Sequence, residues 1–217
     1  MDPEGIVFIV DDDEAFRESL GRLLESAGMR VRKFPGAEAF LEGYDPTLTG
    51  CLVLDIRMPG MSGLELQDKL AKLKIGIPII ILSAHGDVET AVRVMHGGAV
   101  DFIRKPYDTT RLLERLCQAL SLDARRRQEE AERAEVSKSL ARLTPREHEV
   151  MLLLASGKSV KEIAFGLGLS QRTVNVHRGH IMTKLRIDSV VDLATMARVA
   201  EEDAGGNGQP EWQRKPA

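Results

Sequence analysis

The chain of 217 residues contains only two cysteines, Cys51 and Cys117. Two thiols cannot build a disulfide framework, and neither stands in a metal-ligand spacing. Such sparing use points to a reducing, cytoplasmic setting. No apolar run approaches the ~18 residues that a membrane-spanning helix needs. The opening MDPEGIVFIVDDDE has no basic stretch ahead of an apolar one, so it does not read as a signal peptide. Its apolar run, Ile6 to Val10, stops at three aspartates. The single tryptophan, Trp212, lies in the polar tail 201–217, which reads as disordered and offers it no core. Neither sign of charge dominates: 30 basic and 33 acidic residues give a formal net charge of −3. With 43% hydrophobic and 29% charged residues, the composition excludes a chain disordered throughout. The length suits one large domain or two small ones.

The charge is unevenly spread. Residues 1–120 hold 14 basic and 19 acidic residues, and 121–141 hold five of each. Residues 142–200 hold nine basic and five acidic, and the tail two basic and four acidic. An acidic front half joined to a basic segment points to a part that binds a polyanion.

The front half alternates two periods. Short apolar runs lie at Ile6–Val10, Val31–Phe34, Cys51–Leu54, Ile79–Leu82 and Asp101–Arg104. Helical patterns separate them. Phe16, Leu20, Leu23, Leu24 and Ala27 share one helix face, and Leu64, Leu66, Leu70 and Leu73 mark another helix. Val88, Ala91, Val92 and Met95 mark a third, with Asp87 as its N-cap. Leu112, Leu113, Leu116 and Leu120 mark the last, after Asp108. A shorter helix lies around Ala37–Leu41. Five strands alternating with five helices predict a parallel sheet with helices on both faces and right-handed crossovers.

Ligand sites in such sheets form at the carboxyl ends of the strands. Asp11, Asp12 and Asp13 follow the first strand, and Asp55 ends the third. Ser83 ends the fourth, and Lys105 with Pro106 ends the fifth. Taken singly, each has a plain structural reading as a solvated turn, a helix cap or a strand end. Their convergence on one sheet edge is the signal. Clustered carboxylates repel unless a cation neutralises them, and an oxygen-only donor set suits Mg²⁺. A carboxylate can attack phosphorus, a lysine can pair with phosphoryl oxygens, and a hydroxyl can hydrogen-bond one of them. Asp55, alone on its strand end, is the best nucleophile candidate, and Asp11 and Asp12 read as metal ligands.

VDDD at 10–13, LDIRMPGMSG at 54–63, ILSAHGD at 81–87 and DFIRKPYD at 101–108 resemble a response-regulator receiver domain over about residues 5–120. The resemblance implies a flavodoxin-like, doubly wound α/β fold with strand order 2-1-3-4-5. It implies that Asp55 is the phosphoacceptor. It also implies that Mg²⁺ is held by Asp12 and Asp55, with Asp11 close by and the backbone carbonyl of Arg57 as a further ligand. Ser83 and Lys105 would bind the phosphoryl group. Phe102 would be the switch aromatic, a position that Tyr107 does not occupy. Asp13 receives no role.

Residues 121–141, including DARRRQEEAERAEVSKSLA, are charged and helix-favouring, and read as a solvated helical linker. From 142 to 200 no strand-like run appears. Thr144, Pro145 and Glu147 form a capping box with proline at the first helical position. Val150, Leu153 and Leu154 give that helix an apolar face. A second helix spans about Val160 to Leu167, with Ile163, Ala164 and Leu167 inward. After the Gly166–Ser170 turn, Ser170 caps a third helix through Leu185. A fourth spans about Ser189 to Ala200. The second and third form a helix-turn-helix pattern. The third carries Arg172, His177, Arg178, His180 and Lys184 without an acidic residue, and Val174, Ile181 and Leu185 would pack inward. Such a helix suits the major groove and its flanking phosphates, although a solvated or partner-binding face has the same pattern.

The segment LTPREHEVMLLLASGKSVKEIAFGLGLSQRTVNVHRGHIMTKL resembles the LuxR-type DNA-binding domain of NarL- and FixJ-type regulators. The resemblance makes 171–185 the recognition helix and 189–200 a dimerisation helix. Thr173, Asn175, Val176, His177, Gly179 and Lys184 match positions that approach bases or phosphates. Gly179 has no side chain with which to read a base. Arg172 and Lys184 read as phosphate contacts, with Arg178 beside them.

Together the resemblances imply a phosphorylation-dependent transcriptional regulator of a two-component system, not an enzyme. Its domains would be a receiver (1–120), the linker (121–141), an all-α four-helix DNA reader (142–200) and the tail (201–217). Its partners would be a sensor histidine kinase, promoter DNA, RNA polymerase and, once phosphorylated, a second copy meeting it through Val92 and His96. Two other classes fit parts of the pattern. An aspartyl-phosphate phosphatase would need a second acid–base residue that is not evident. A phospho-switched protein-binding module would not need so cleanly basic a third helix.

Overall fold

Five short apolar runs form one parallel sheet in the computed structural model, which describes residues 5–84, 88–189 and 191–198. The strands are β1 (Ile6–Val10), β2 (Arg30–Phe34), β3 (Gly50–Leu54), β4 (Ile79–Ser83) and β5 (Asp101–Arg104). Their order is β2-β1-β3-β4-β5, and every pair is parallel. Val10 registers with both Phe34 and Leu54, and Ser83 with Arg104. The strands therefore end at a common edge.

β3 and β4 are buried along their whole length, and β1 except at Ile6. Alternate side chains feed opposite faces, as the pleat demands. Phe8, Val10, Leu52, Leu54 and Ile81 join one apolar cluster, while Val7, Ile9, Val53, Ile80 and Leu82 join the other. The first is covered by α2 (Ala37–Gly43), α3 (Gly63–Lys72) and α4 (Val88–His96), and the second by α1 (Glu14–Ser26) and α5 (Thr109–Leu140). β2, at the sheet edge, is only half-buried.

The helix expected from Val88, Ala91, Val92 and Met95 is present as α4, with a burial that its periodicity does not give. On α4 the apolar residues Val88, Val92 and Met95 are exposed, and Val94 is the buried one. Gln67 Nε2 also seats α4 by donating to the Val94 carbonyl at 2.9 Å. The sequence reading differs from the structure in α5, where the last sheet helix and the expected linker are a single 32-residue helix. Its segment 121–141 is not solvated throughout, because Asp123 is fully buried. Its carboxylate accepts from the Gly50 amide at 2.9 Å, Arg126 at 2.6 Å and Arg127 at 2.7 Å. Arg127 also donates to the Pro46 carbonyl at 2.7 Å.

The chain divides into two compact units, Met1–Gln128 and Glu129–Ala217. In the second, α6 (Pro145–Ala155), α7 (Val160–Leu167) and α8 (Gln171–Leu185) enclose Val150, Met151, Leu154, Ile163, Val174, Ile181 and Leu185. Leu193 and Ala197, from helical residues 191–198, join that core. Thr144 and Glu147 make the predicted capping box, Gly168 ends α7 in a left-handed conformation (φ 63°), and Ser170 caps α8. The expected cap Asp87, the end of the last helix at Ala200 and the tail 201–217 with Trp212 lie outside the described residues. Among the described residues, no helix is long and apolar enough to cross a membrane.

Candidate functional site

At the common edge, Asp11 follows β1 and Asp55 follows β3. The Asp55 amide donates to the Val10 carbonyl at 3.0 Å, which ties the two strand ends together. Lys105, just past β5, reaches both carboxylates. Its Nζ is 2.6 Å from Asp11 Oδ2 and 3.3 Å from Asp55 Oδ1. The other Asp55 oxygen, Oδ2, accepts from the Arg57 amide at 2.7 Å. Asp11 Oδ1 accepts from the Asp13 amide at 2.9 Å, and the Asp11 carbonyl accepts from Arg17 at 2.7 Å. Burial raises the Asp11 carboxyl above its usual value, against the pull of Lys105. Here a cation offsets two carboxylates crowded at a half-closed edge.

Ser83 is fully buried at the end of β4, and its carbonyl accepts from the Lys105 amide at 2.9 Å. Phe102 lies on β5 opposite Ile81, half-buried against the first apolar cluster. Asp12 is exposed beside Asp11. Val92 and His96 are exposed on α4.

The local sequence explains the loop that carries Asp55. Ser62 and Glu65 form a capping box that starts α3, and Glu38 accepts from the Met61 amide at 3.0 Å. Gly63 must be glycine, because a Cβ there would stand 2.1 Å from the Asp55 carbonyl oxygen. The donor set is oxygen only, and Mg²⁺ asks for no more than one or two carboxylates beside phosphate and water. Asp11 and Asp55, already drawn to one cation, fit that demand. Among the described residues, no group of three or more His, Cys, Asp or Glu is arranged to hold a metal.

Sequence reasoning missed the aromatic neighbours of Lys105. Its Nζ stands 3.5 Å from the centroid of the Phe16 ring, and Phe16 meets Tyr107 edge-on at 6.3 Å. It also gave Asp13 no role, whereas Asp13 is the N-cap of α1 and accepts from the Phe16 amide. The signal for that cap was present, an aspartate just before a helical pattern.

In the second unit, α8 presents Arg172, Asn175 and Val176 to solvent, with Thr173, His177 and Arg178 half-buried. The Thr173 and Ser170 hydroxyls are 2.8 Å apart. His177 Nδ1 is buried without a hydrogen-bond partner among the described residues. Lys184 does not stand free, since its Nζ is 2.6 Å from Glu147 Oε2 on α6.

Comparison with known proteins assigns a family to each part of the chain. Residues 7–117 match the response regulator receiver domain, and residues 141–197 match the luxR family of bacterial regulatory proteins. Nodulation protein W of Bradyrhizobium diazoefficiens is 44% identical over 194 residues, covering 89% of this chain and 86% of that protein. The transcriptional regulatory protein FixJ of Azorhizobium caulinodans is 42% identical over 199 residues, covering 91% and 94%. The solved structure of the response regulator StyR superposes with a TM-score of 0.82 at 44% identity, covering 89% of this chain and 98% of that one. A receiver implies a sensor kinase as partner, and a luxR-family domain implies DNA. The chain belongs to the two-component response regulators of the FixJ type, transcription regulators in which a receiver domain precedes a LuxR-type DNA-binding domain.

Proposed function

We propose that Asp55 takes a phosphoryl group from the phosphohistidine of a sensor kinase, and that this switches the chain to a dimer on promoter DNA. The observation that carries the reading is the Lys105 ammonium held between Asp11 and Asp55 at the sheet edge. In the transfer, the phosphorus–nitrogen bond of the donor breaks and a phosphorus–oxygen bond to Asp55 forms. The imidazole leaves and takes a proton from solvent. Lys105, already in reach of Asp55, receives one phosphoryl oxygen, and the Ser83 hydroxyl donates to another. Asp12, Asp55 and the Arg57 carbonyl would hold Mg²⁺, with Asp11 close by, and the ion would supply neutralising charge to the phosphoryl oxygens.

The readout begins as Ser83 is drawn toward the phosphoryl group and Phe102 fills the space behind it. The exposed stripe of α4 with Val92, together with His96, then meets a second copy. Dimerisation sets two α8 helices one DNA turn apart. Arg172 and Arg178 hold phosphates there, and Thr173, Asn175, Val176 and His177 approach base edges. Lys184, paired with Glu147, contributes least of this set. The output is recruitment of RNA polymerase in the cytoplasm, and hence activation.

Light scattering of the full chain with Mg²⁺ and acetyl phosphate, beside Asp55→Asn, tests the reading. A monomer-to-dimer shift in the wild type alone supports it. Stoichiometric phosphoryl uptake by Asp55→Asn would remove Asp55 from its role.

A further inference from the structure

The Lys105 ammonium has a third neighbour besides its two carboxylates. The ring of Phe16 lies 3.5 Å from Nζ, measured to its centroid, and this is a cation–π contact. Phe16 is pinned from both ends. Its amide donates to Asp13 Oδ1 at 3.0 Å, inside the same acidic turn that supplies Asp11. Its ring meets Tyr107, two residues beyond Lys105, edge-on at 6.3 Å and 88°. The side chain is half-buried and packs against the apolar cluster under α1 and α5. A phenylalanine at this place in a helix face would ordinarily only fill a core.

The geometry points to a further role for Phe16 as a positioning residue of the phosphoryl-transfer site, whose ring face holds the Lys105 ammonium toward Asp55. This inference rests on the proposed roles of Asp55 and Lys105. An ammonium has three N–H groups. Asp11 and Asp55 accept from two directions, and the ring covers another with no formal charge. A third carboxylate in that place would compete with an incoming phosphoryl dianion for the lysine. A water would let the flexible four-carbon stem wander. A neutral π face does neither. When Asp55 becomes an acyl phosphate and its hold on Lys105 loosens, Asp11 and Phe16 still fix the ammonium where a phosphoryl oxygen arrives.

The test is the initial rate of phosphoryl uptake from acetyl phosphate with Mg²⁺, measured on the full chain by phosphate-affinity gel. Phe16→Tyr and Phe16→Trp keep a π face, while Phe16→Leu and Phe16→Met keep only apolar bulk. The ring-bearing variants should stay within about twofold of wild type, and the aliphatic ones should be slower by about tenfold. A purely structural role would instead rank variants by volume, leaving leucine and methionine near wild type and tryptophan worst. In a Lys105→Met background, Phe16→Leu should cause no further loss, since the partner of the ring is gone. Aliphatic variants that match wild type, or an equal loss with and without Lys105, overturn the inference. If wild type and Asp55→Asn take up phosphate equally, the parent reading of Asp55 fails and takes this inference with it.

Discussion

Lys184 Nζ and Glu147 Oε2 are 2.6 Å apart, joining α8 to the first turn of α6. Glu147 is nearly buried, and the same oxygen accepts from the Thr144 amide at 2.8 Å and its hydroxyl at 2.9 Å. One carboxylate therefore closes a capping box and pins the helix that carries the proposed DNA contacts. The pair gives Lys184 a structural role that its place in a basic helix did not announce.

That pair predicts a pH dependence. Burial pushes the Glu147 carboxyl up, but the bonds from Lys184 and Thr144 prevail and bring it down to about 2, from an ordinary 4.5. A carboxyl with a lower pKa folded than unfolded stabilises fully above its unfolded value. The contribution disappears as pH falls from about 4.5 to about 2. Calorimetry of the second unit's transition in the full chain should show a drop in that window. Glu147→Gln should lower the transition at neutral pH by about 2 kcal/mol and flatten the drop. A parallel drop in wild type and variant would assign it to other carboxylates.

Gly63 predicts a steric effect on Asp55, the proposed acceptor. The Cβ of Gly63→Ala would meet backbone, 2.1 Å from the Asp55 oxygen and 3.1 Å from the Ile56 Cα, so no side chain can swing aside. Either α3 or the Asp55 loop must move. We expect a loss of about 1–3 kcal/mol in the receiver, and slow phosphoryl uptake even where the fold survives. Gly166→Ala is the contrast, because its Cβ would meet nothing within 4 Å. In α7 it should stabilise by up to about 1 kcal/mol. Thermal melts of both variants check the pair.

Asp123 predicts that the receiver's stability extends past residue 120. Its buried carboxylate holds the Gly50 amide at the start of β3 and the side chains of Arg126 and Arg127. Asp123→Ala leaves these donors facing a buried gap. The arginines are partly exposed and recover some solvation, so the cost should be about 2 kcal/mol, below that of a fully buried pair. Hydrogen exchange should rise at Gly50 and over 120–128. Unchanged exchange there would mean that the helix holds without its anchor.

These contacts show where the sequence was legible. That Asp11, Asp55, Ser83 and Lys105 share one sheet edge was readable because parallel strands bring their carboxyl ends together, whatever the packing. The helix caps at Thr144 and Ser170 were readable because their partners lie within four residues. On α4 periodicity found the strongest apolar stripe, but period alone does not say which side meets the sheet. There Val94 faces inward and Val92 does not. Asp123 looked solvated because its neighbours in sequence are charged, while one of its donors, Gly50, lies 73 residues away. Phe16 meets Lys105 across most of the receiver, and no local pattern announces such a contact.

The last prediction separates two basic residues on α8. Salt dependence of DNA binding counts the cations that displace counterions from phosphates, with a slope near −0.9 for each. Arg172 is exposed in the first turn of α8, so its charge is available to a phosphate. Lys184 already faces a carboxylate at 2.6 Å, and a phosphate there would share it with Glu147. Arg172→Ala should therefore weaken binding to all sequences alike and reduce the slope by about 1. Lys184→Met should lower thermal stability while leaving the slope nearly unchanged. Fluorescence anisotropy of a labelled duplex, titrated from low to moderate salt, measures both slopes. A full unit lost in Lys184→Met would mean that DNA takes the lysine from Glu147. A loss confined to one operator sequence in Arg172→Ala would make Arg172 a reader of bases instead of phosphates.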